Sequence, residues 1–88
     1  MTEITYEAVL KKTIELISSR YRREVTEATR LVVELDLDSI DIAELVSEME
    51  DHFQVMIPMQ NLPEIRTVGD IVRTLAELLN DESRVRGV

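Results

Sequence analysis

The stretch Leu37-Asp38-Ser39-Ile40-Asp41-Ile42-Ala43-Glu44-Leu45-Val46-Ser47-Glu48-Met49-Glu50-Asp51-His52-Phe53 holds the clearest helical pattern of the 88-residue chain. At about 100° per residue, Ile42, Leu45, Val46, Met49 and Phe53 fall in one arc, so an amphipathic helix with that arc buried is expected, opening at Asp38 and running to about His52. Asp38 and Asp41 stand where carboxylates satisfy and neutralise the free N–H groups of a first turn. Asp41, Glu44, Glu48 and Asp51 gather in a second arc roughly 140° from the first. A solvated face is the ordinary reading of such a stripe. Between Val25 and Arg66, however, Arg30 is the only Lys or Arg, so no local cation balances it, and a missing counter-charge suggests a partner that brings one.

Upstream, Tyr6, Val9, Leu10, Ile14 and Ile17 recur at three- and four-residue steps, which predicts a first amphipathic helix from Thr5 to Ser19. From Arg20 to Leu37 the aliphatics Leu31, Val32, Val33, Leu35 and Leu37 favour a strand locally, but a lone strand has nothing to pair with. The segment is expected to be a long connection pinned to the core by those residues, although structureless loops of this length are uncommon. Downstream, Pro58 and Pro63 bracket a segment with room for one or two helical turns. A last helix follows from Thr67, on Val68, Ile71, Val72, Leu75, Leu78 and Leu79, with Thr67 and Asp70 in the spacing of a capping box. The expectation is an all-α fold: a small bundle of three main helices, a short helical turn before the last, and a long first loop. One domain spans 1–88, with its core at about 5–80 and a frayed tail at 81–88.

Composition agrees. A chain this short sustains a single core. Only Tyr6, Tyr21 and Phe53 are aromatic, and the aliphatic remainder suits helix packing better than a β-sandwich. No cysteine is present for a disulfide frame or a thiolate metal site. Eighteen acidic against ten basic residues give a net charge of -8, a field that disfavours nucleic acid and anionic membrane surfaces and suits basic protein partners. No apolar run approaches the roughly 20 residues of a membrane span, and the N-terminus lacks the pattern of a secretion signal, so a soluble, unprocessed, cytoplasmic monomer is expected.

Ser39, in the first turn of the second helix, is on spacing alone a helix-start residue. As a catalytic nucleophile it lacks a base, because the sole histidine, His52, lies about 13 residues on, roughly 20 Å along the same helix. His52 itself suits the negative end of the helix dipole. The acids on an open face lack the desolvation that would part an acid from a base. Asp36, Asp38 and Asp41 lack the glycine-containing loop of a calcium site, so no resident metal is expected.

The run Leu37 to Leu45, continuing through Phe53, resembles the Asp-Ser-Leu attachment motif and recognition helix of acyl carrier proteins. The likeness extends through Glu24-Val25-Thr26, Leu31-Val32, Ile57-Pro58 and Thr67-Val68 into the last helix, over roughly residues 5 to 80. It implies that Ser39, preceded by Asp38, is where a separate phosphopantetheinyl transferase, assisted by magnesium, attaches 4'-phosphopantetheine through a phosphodiester. It implies further that cargo rides as a thioester on that arm, and that the domain catalyses nothing itself. Asp41, Glu44, Glu48, Glu50 and Asp51 then correspond to the family's acidic docking helix, with Ile40 as an exposed apolar contact for acyl-transferring or synthase enzymes bearing basic patches. Fatty-acid, polyketide or other lipid biosynthesis is the setting so implied.

This sequence departs from the common pattern at Ile40, usually leucine, and at Asp36, often glycine. The segment Met59 to Pro63 lacks the acids frequent there, leaving Glu64. Isoleucine after the serine also occurs in peptidyl carriers, whose paired glycines are missing here, so an aminoacyl or peptidyl carrier ranks second. An unmodified acidic interaction module remains a further alternative. A hydrolase or metal protein ranks far lower, since one His and no Cys assemble no catalytic set.

Overall fold

The computed structural model describes the backbone of residues 5–86 and the side chains of residues 5–80. Helix α1 spans Tyr6–Tyr21, α2 Ser39–Phe53 and α3 Val68–Arg86, with a 3-10 helix at Met59–Glu64 between α2 and α3. Among the described residues there is no strand, only an isolated antiparallel bridge between Arg30 and Thr67. The all-α bundle with its short turn before the last helix is therefore present. The expected tail lies outside the residues whose side chains are described.

Each helix is bounded by its own local chemistry. Thr5 caps α1 by accepting the Ala8 N–H at 3.1 Å, and Arg22, left-handed at φ 55°, ends it two residues later than the periodicity indicated. Asp38 caps α2 in a reciprocal box: the Asp41 N–H donates to Asp38 at 2.8 Å, and the Asp38 N–H donates to Asp41 at 3.1 Å. Gln54, left-handed at φ 58°, closes it. The expected Thr67–Asp70 box at α3 is present too: the Asp70 N–H donates to the Thr67 hydroxyl at 3.1 Å, and one Asp70 oxygen accepts the N–H groups of Thr67 and Arg66, both at 3.0 Å. Pro63 sits inside the 3-10 helix and does not close it: it costs one donor, while the Asn61 N–H bonds to Pro58 O at 2.9 Å before it and the Ile65 N–H to Leu62 O at 3.1 Å across it.

The core takes Val9 and Ile17 from α1, Leu45, Val46 and Met49 from α2, and Val68, Ile71, Val72, Leu75 and Ala76 from α3. Helix α3 packs chiefly against α1 and less against α2. Ile42 and Phe53, assigned to the buried arc of α2, are only half-buried at its margin.

The connection from Arg22 to Asp38 is long but tied down. Val25, Thr29, Leu31, Leu35 and Leu37 are buried. The expectation that all its aliphatics pin it fails at Val32 and Val33, which are 55% and 68% exposed. A turn in which the Glu34 and Leu35 N–H groups both donate to the Arg30 carbonyl directs those two valines outward. Three backbone bonds tie the segment to the start of α3: Leu31 N–H to Arg66 O at 2.9 Å, Val68 N–H to Thr29 O at 3.0 Å and Gly69 N–H to Glu27 O at 2.8 Å. A Cβ at Gly69 would lie 3.1 Å from that Glu27 oxygen, so a larger residue would push the loop back by a few tenths of an ångström. Glu27 also accepts from the Tyr6 hydroxyl, joining the loop to α1. Asp36 is left-handed at φ 58°, which explains why glycine is a natural occupant there; aspartate is among the few side chains that tolerate the region.

Candidate functional site

Ser39 is the first residue of α2, exposed beside its capping aspartate. It borders a pocket of about 550 Å³ whose walls come from four separate segments: Arg30, Val32 and Val33 of the loop; Ile42 and Ala43 of α2; Leu62 and Pro63 of the 3-10 helix; Ile65 and Arg66 before α3. Apart from the two arginines and Ser39 these walls are apolar. The exposure of Val32 and Val33 thus has a structural counterpart, since both face this pocket. Ile40, the next residue of the helix, is 68% exposed.

The acidic residues of α2 have different surroundings. Asp41 is half-buried and committed to the capping box. Glu50, half-buried, accepts the Ile57 N–H at 2.6 Å and so fastens the segment after α2 to the helix. Glu48 is ion-paired with Arg20, whose guanidinium also stands 3.6 Å from Glu44. The inference that no cation lies near the stripe is thereby corrected: α1 delivers Arg20 across the bundle, and Arg20 is held in turn against the Tyr21 ring, 5.6 Å from its centroid. Glu44 and Asp51 are the stripe residues left exposed.

His52 lies in the last turn of α2, edge-on to Phe53 at 5.0 Å and at the opposite end of the helix from Ser39. Among the described residues no group of three His, Cys, Asp or Glu converges as a metal site, and no helix is long and apolar enough to cross a membrane. The pocket, its two arginines and the Arg20 clamp were missed by sequence reasoning. The one available signal was Arg30, a lone cation in an acidic stretch.

Comparison with known proteins gives this arrangement its context. A family model described as "Phosphopantetheine attachment site" matches residues 11–75. The acyl carrier protein of Lactobacillus acidophilus is 36% identical over 69 residues, covering 75% of this chain and 86% of that protein. That of Wolinella succinogenes is 44% identical over 50 residues, 57% of this chain and 66% of its own length. The meromycolate extension acyl carrier protein of Mycolicibacterium smegmatis is 37% identical over 71 residues, 81% of this chain and 72% of its own. Among solved structures, the acyl carrier protein of Enterococcus faecalis superposes with a TM-score of 0.71 at 33% identity, covering 85% of this chain and 99% of that one. The acyl carrier protein of Thermotoga maritima also gives 0.71, at 28% identity over 86% and 92%. A matched attachment-site model over most of the chain, relatives of the same family and a shared helical fold agree: this chain belongs to the acyl carrier proteins, which are not enzymes but carriers with covalently attached 4'-phosphopantetheine.

Proposed function

We propose that Ser39 bears the 4'-phosphopantetheine arm and that the chain carries acyl groups between enzymes of lipid or polyketide synthesis, as a monomer in the cytoplasm. The observation that carries this reading is the position of Ser39: an exposed hydroxyl in the first turn of a capped helix, at the edge of an apolar pocket. The residues present fit the group. The hydroxyl is open to a transferase, and the N–H groups that begin α2 and its positive dipole end lie beside the place where a phosphodiester would sit. When bound, the arm supplies a thiol that holds cargo as a thioester. Asp38 fixes the helix start, and with it the direction in which Ser39 presents its oxygen.

The apolar walls favour an acyl chain over an aminoacyl cargo, since Val32, Val33, Ile42 and Leu62 offer hydrocarbon contact but no carboxylate for an ammonium group. Partner enzymes, the phosphopantetheinyl transferase first, dock basic surfaces on Glu44 and Asp51 with Ile40 as the apolar contact. Glu48 contributes through the Arg20 cluster, while Asp41 and Glu50 mainly hold the backbone that displays the others.

Intact mass after coexpression with a broad-specificity transferase tests this. Wild type gains the mass of the arm, and Ser39→Ala stays unmodified with its helical circular dichroism retained. A modified alanine variant, or a wild type that never gains mass under an active transferase, defeats the assignment.

A further inference from the structure

Among the described residues, Arg30 and Arg66 supply the charged walls of the pocket beside Ser39. The segments carrying them are locked together, with Leu31 N–H bonded to Arg66 O at 2.9 Å and Arg30 bridged to Thr67. Both residues line the pocket and are exposed, so their charges remain open to a ligand. In a chain with 18 acidic residues these cations are weakly answered. Arg30 makes one loose ion pair, 3.4 Å from a Glu34 oxygen that already accepts the Arg30 backbone N–H at 3.0 Å. Arg66 makes no ion pair among the described residues.

We propose that Arg30 and Arg66 form an anion-binding pair that takes a carboxylate or phosphate oxygen of the group tethered at Ser39, while the apolar part of that group fills the rest of the pocket. The proposal rests on the assignment of Ser39 as the attachment residue and deepens it. Guanidinium forks match both anions, and the apolar walls beside them fix where the rest of a tethered group can lie. Two sources carry the anion: a carboxylate at the far end of the cargo, or the phosphodiester joining the arm to Ser39. Were the arginines present only to lay their methylene stems over apolar walls, a neutral cargo would serve as well as a charged one.

The test uses the full chain in four forms: unmodified, bearing the free arm, and bearing octanoyl or the equally long, carboxyl-ended suberyl group, loaded by a broad-specificity transferase from the coenzyme A derivatives. Intact mass reports loading, and its failure defeats the Ser39 assignment independently of the arginines. Thioester cleavage by hydroxylamine and melting temperature are then measured for wild type and for Arg30→Gln with Arg66→Gln. If the anion is a cargo carboxylate, the suberyl thioester is cleaved roughly tenfold more slowly than the octanoyl one in wild type, and the variant loses that difference. If it is the phosphodiester, the two cargoes behave alike, but adding the free arm raises the melting temperature of wild type and not of the variant. Equal behaviour of both cargoes, together with the same response to the arm in wild type and variant, overturns the proposal, as does stronger protection of octanoyl. Arg66→Gln alone serves if the double variant fails to fold.

Discussion

Thr13 faces the core from the middle of α1, fully buried, with a hydroxyl that meets no hydrogen-bond partner among the described residues. A buried hydroxyl without a partner costs its desolvation, on the order of 1–3 kcal/mol, whereas valine keeps nearly the same shape and adds a methyl to an aliphatic surround. Thr13→Val is therefore expected to stabilise the protein by about 1 kcal/mol, a rise of roughly 4–8 °C in melting temperature for a domain of this size. Thermal denaturation followed by circular dichroism checks it; an unchanged or lower midpoint would mean that the hydroxyl does find a partner. The start of α2, where the proposed attachment residue lies, was more legible than this one. Asp38 declares itself because its box with Asp41 is written within one turn of sequence, whereas Ser39 reads on spacing alone as a helix-start residue and takes its proposed role from the resemblance to acyl carrier proteins. The Glu48–Arg20 pair does not declare itself, because its members are brought together only by the packing of α1 on the bundle.

At the level of elements, the helices that could be read are those whose ends are chemically marked. The Thr67–Asp70 box is legible because three residues suffice to build it, and its energetics depend on pH in a defined direction. Burial pushes the Asp70 carboxyl up, but the N–H groups of Arg66 and Thr67, the Thr67 hydroxyl and the nearby Arg73 outweigh it and hold the group below the ordinary carboxylate range. A lowered folded-state value means that the stabilisation is fully present above the unfolded value near 4 and is lost as pH falls through the folded one. Asp70→Asn should thus cost about 0.5–2 kcal/mol at pH 7, and the gap between the two proteins should shrink towards pH 3. Denaturant titrations at both pH values measure it, and a gap that widens on acidification would reverse the sign of the effect. The loop was harder to read because apolarity alone does not say which way a side chain points. Leu31 and Leu35 turn inward while Val32 and Val33, equally apolar, line the pocket. The pocket itself has no sequence signature, since its walls are collected from four segments lying between Arg30 and Arg66.

For the whole molecule, a net charge of -8 raises the question of whether partners read the total field or one face. Arg20 changes the answer expected from the sequence, since it engages Glu48 and lies near Glu44, so reversing Glu48 would disturb the junction of α1 with α2 as well as any docking. Glu44 and Asp51 are the cleaner probes: both are exposed on α2, Asp51 stands outside the Arg20 cluster, and Glu44 holds only its longer contact, 3.6 Å from Arg20. With attachment at Ser39 as proposed, a partner that grips them and Ile40 would hold the root of the arm at its own active-site mouth, because Ser39 begins the same helix. Exposed charges act mainly on the rate of encounter, and salt screens them over about 10 Å at 0.1 M. Glu44→Lys with Asp51→Lys is therefore expected to slow phosphopantetheine transfer by about tenfold at low salt and to flatten its salt dependence. Glu7→Lys with Glu77→Lys changes the net charge equally on α1 and α3, and should leave transfer near the wild-type rate. Single-turnover transfer followed by mass at several salt concentrations, with circular dichroism confirming both folds, decides between the two readings. Equal slowing by both pairs of reversals would show that the transferase responds to the charge of the whole protein and not to this helix.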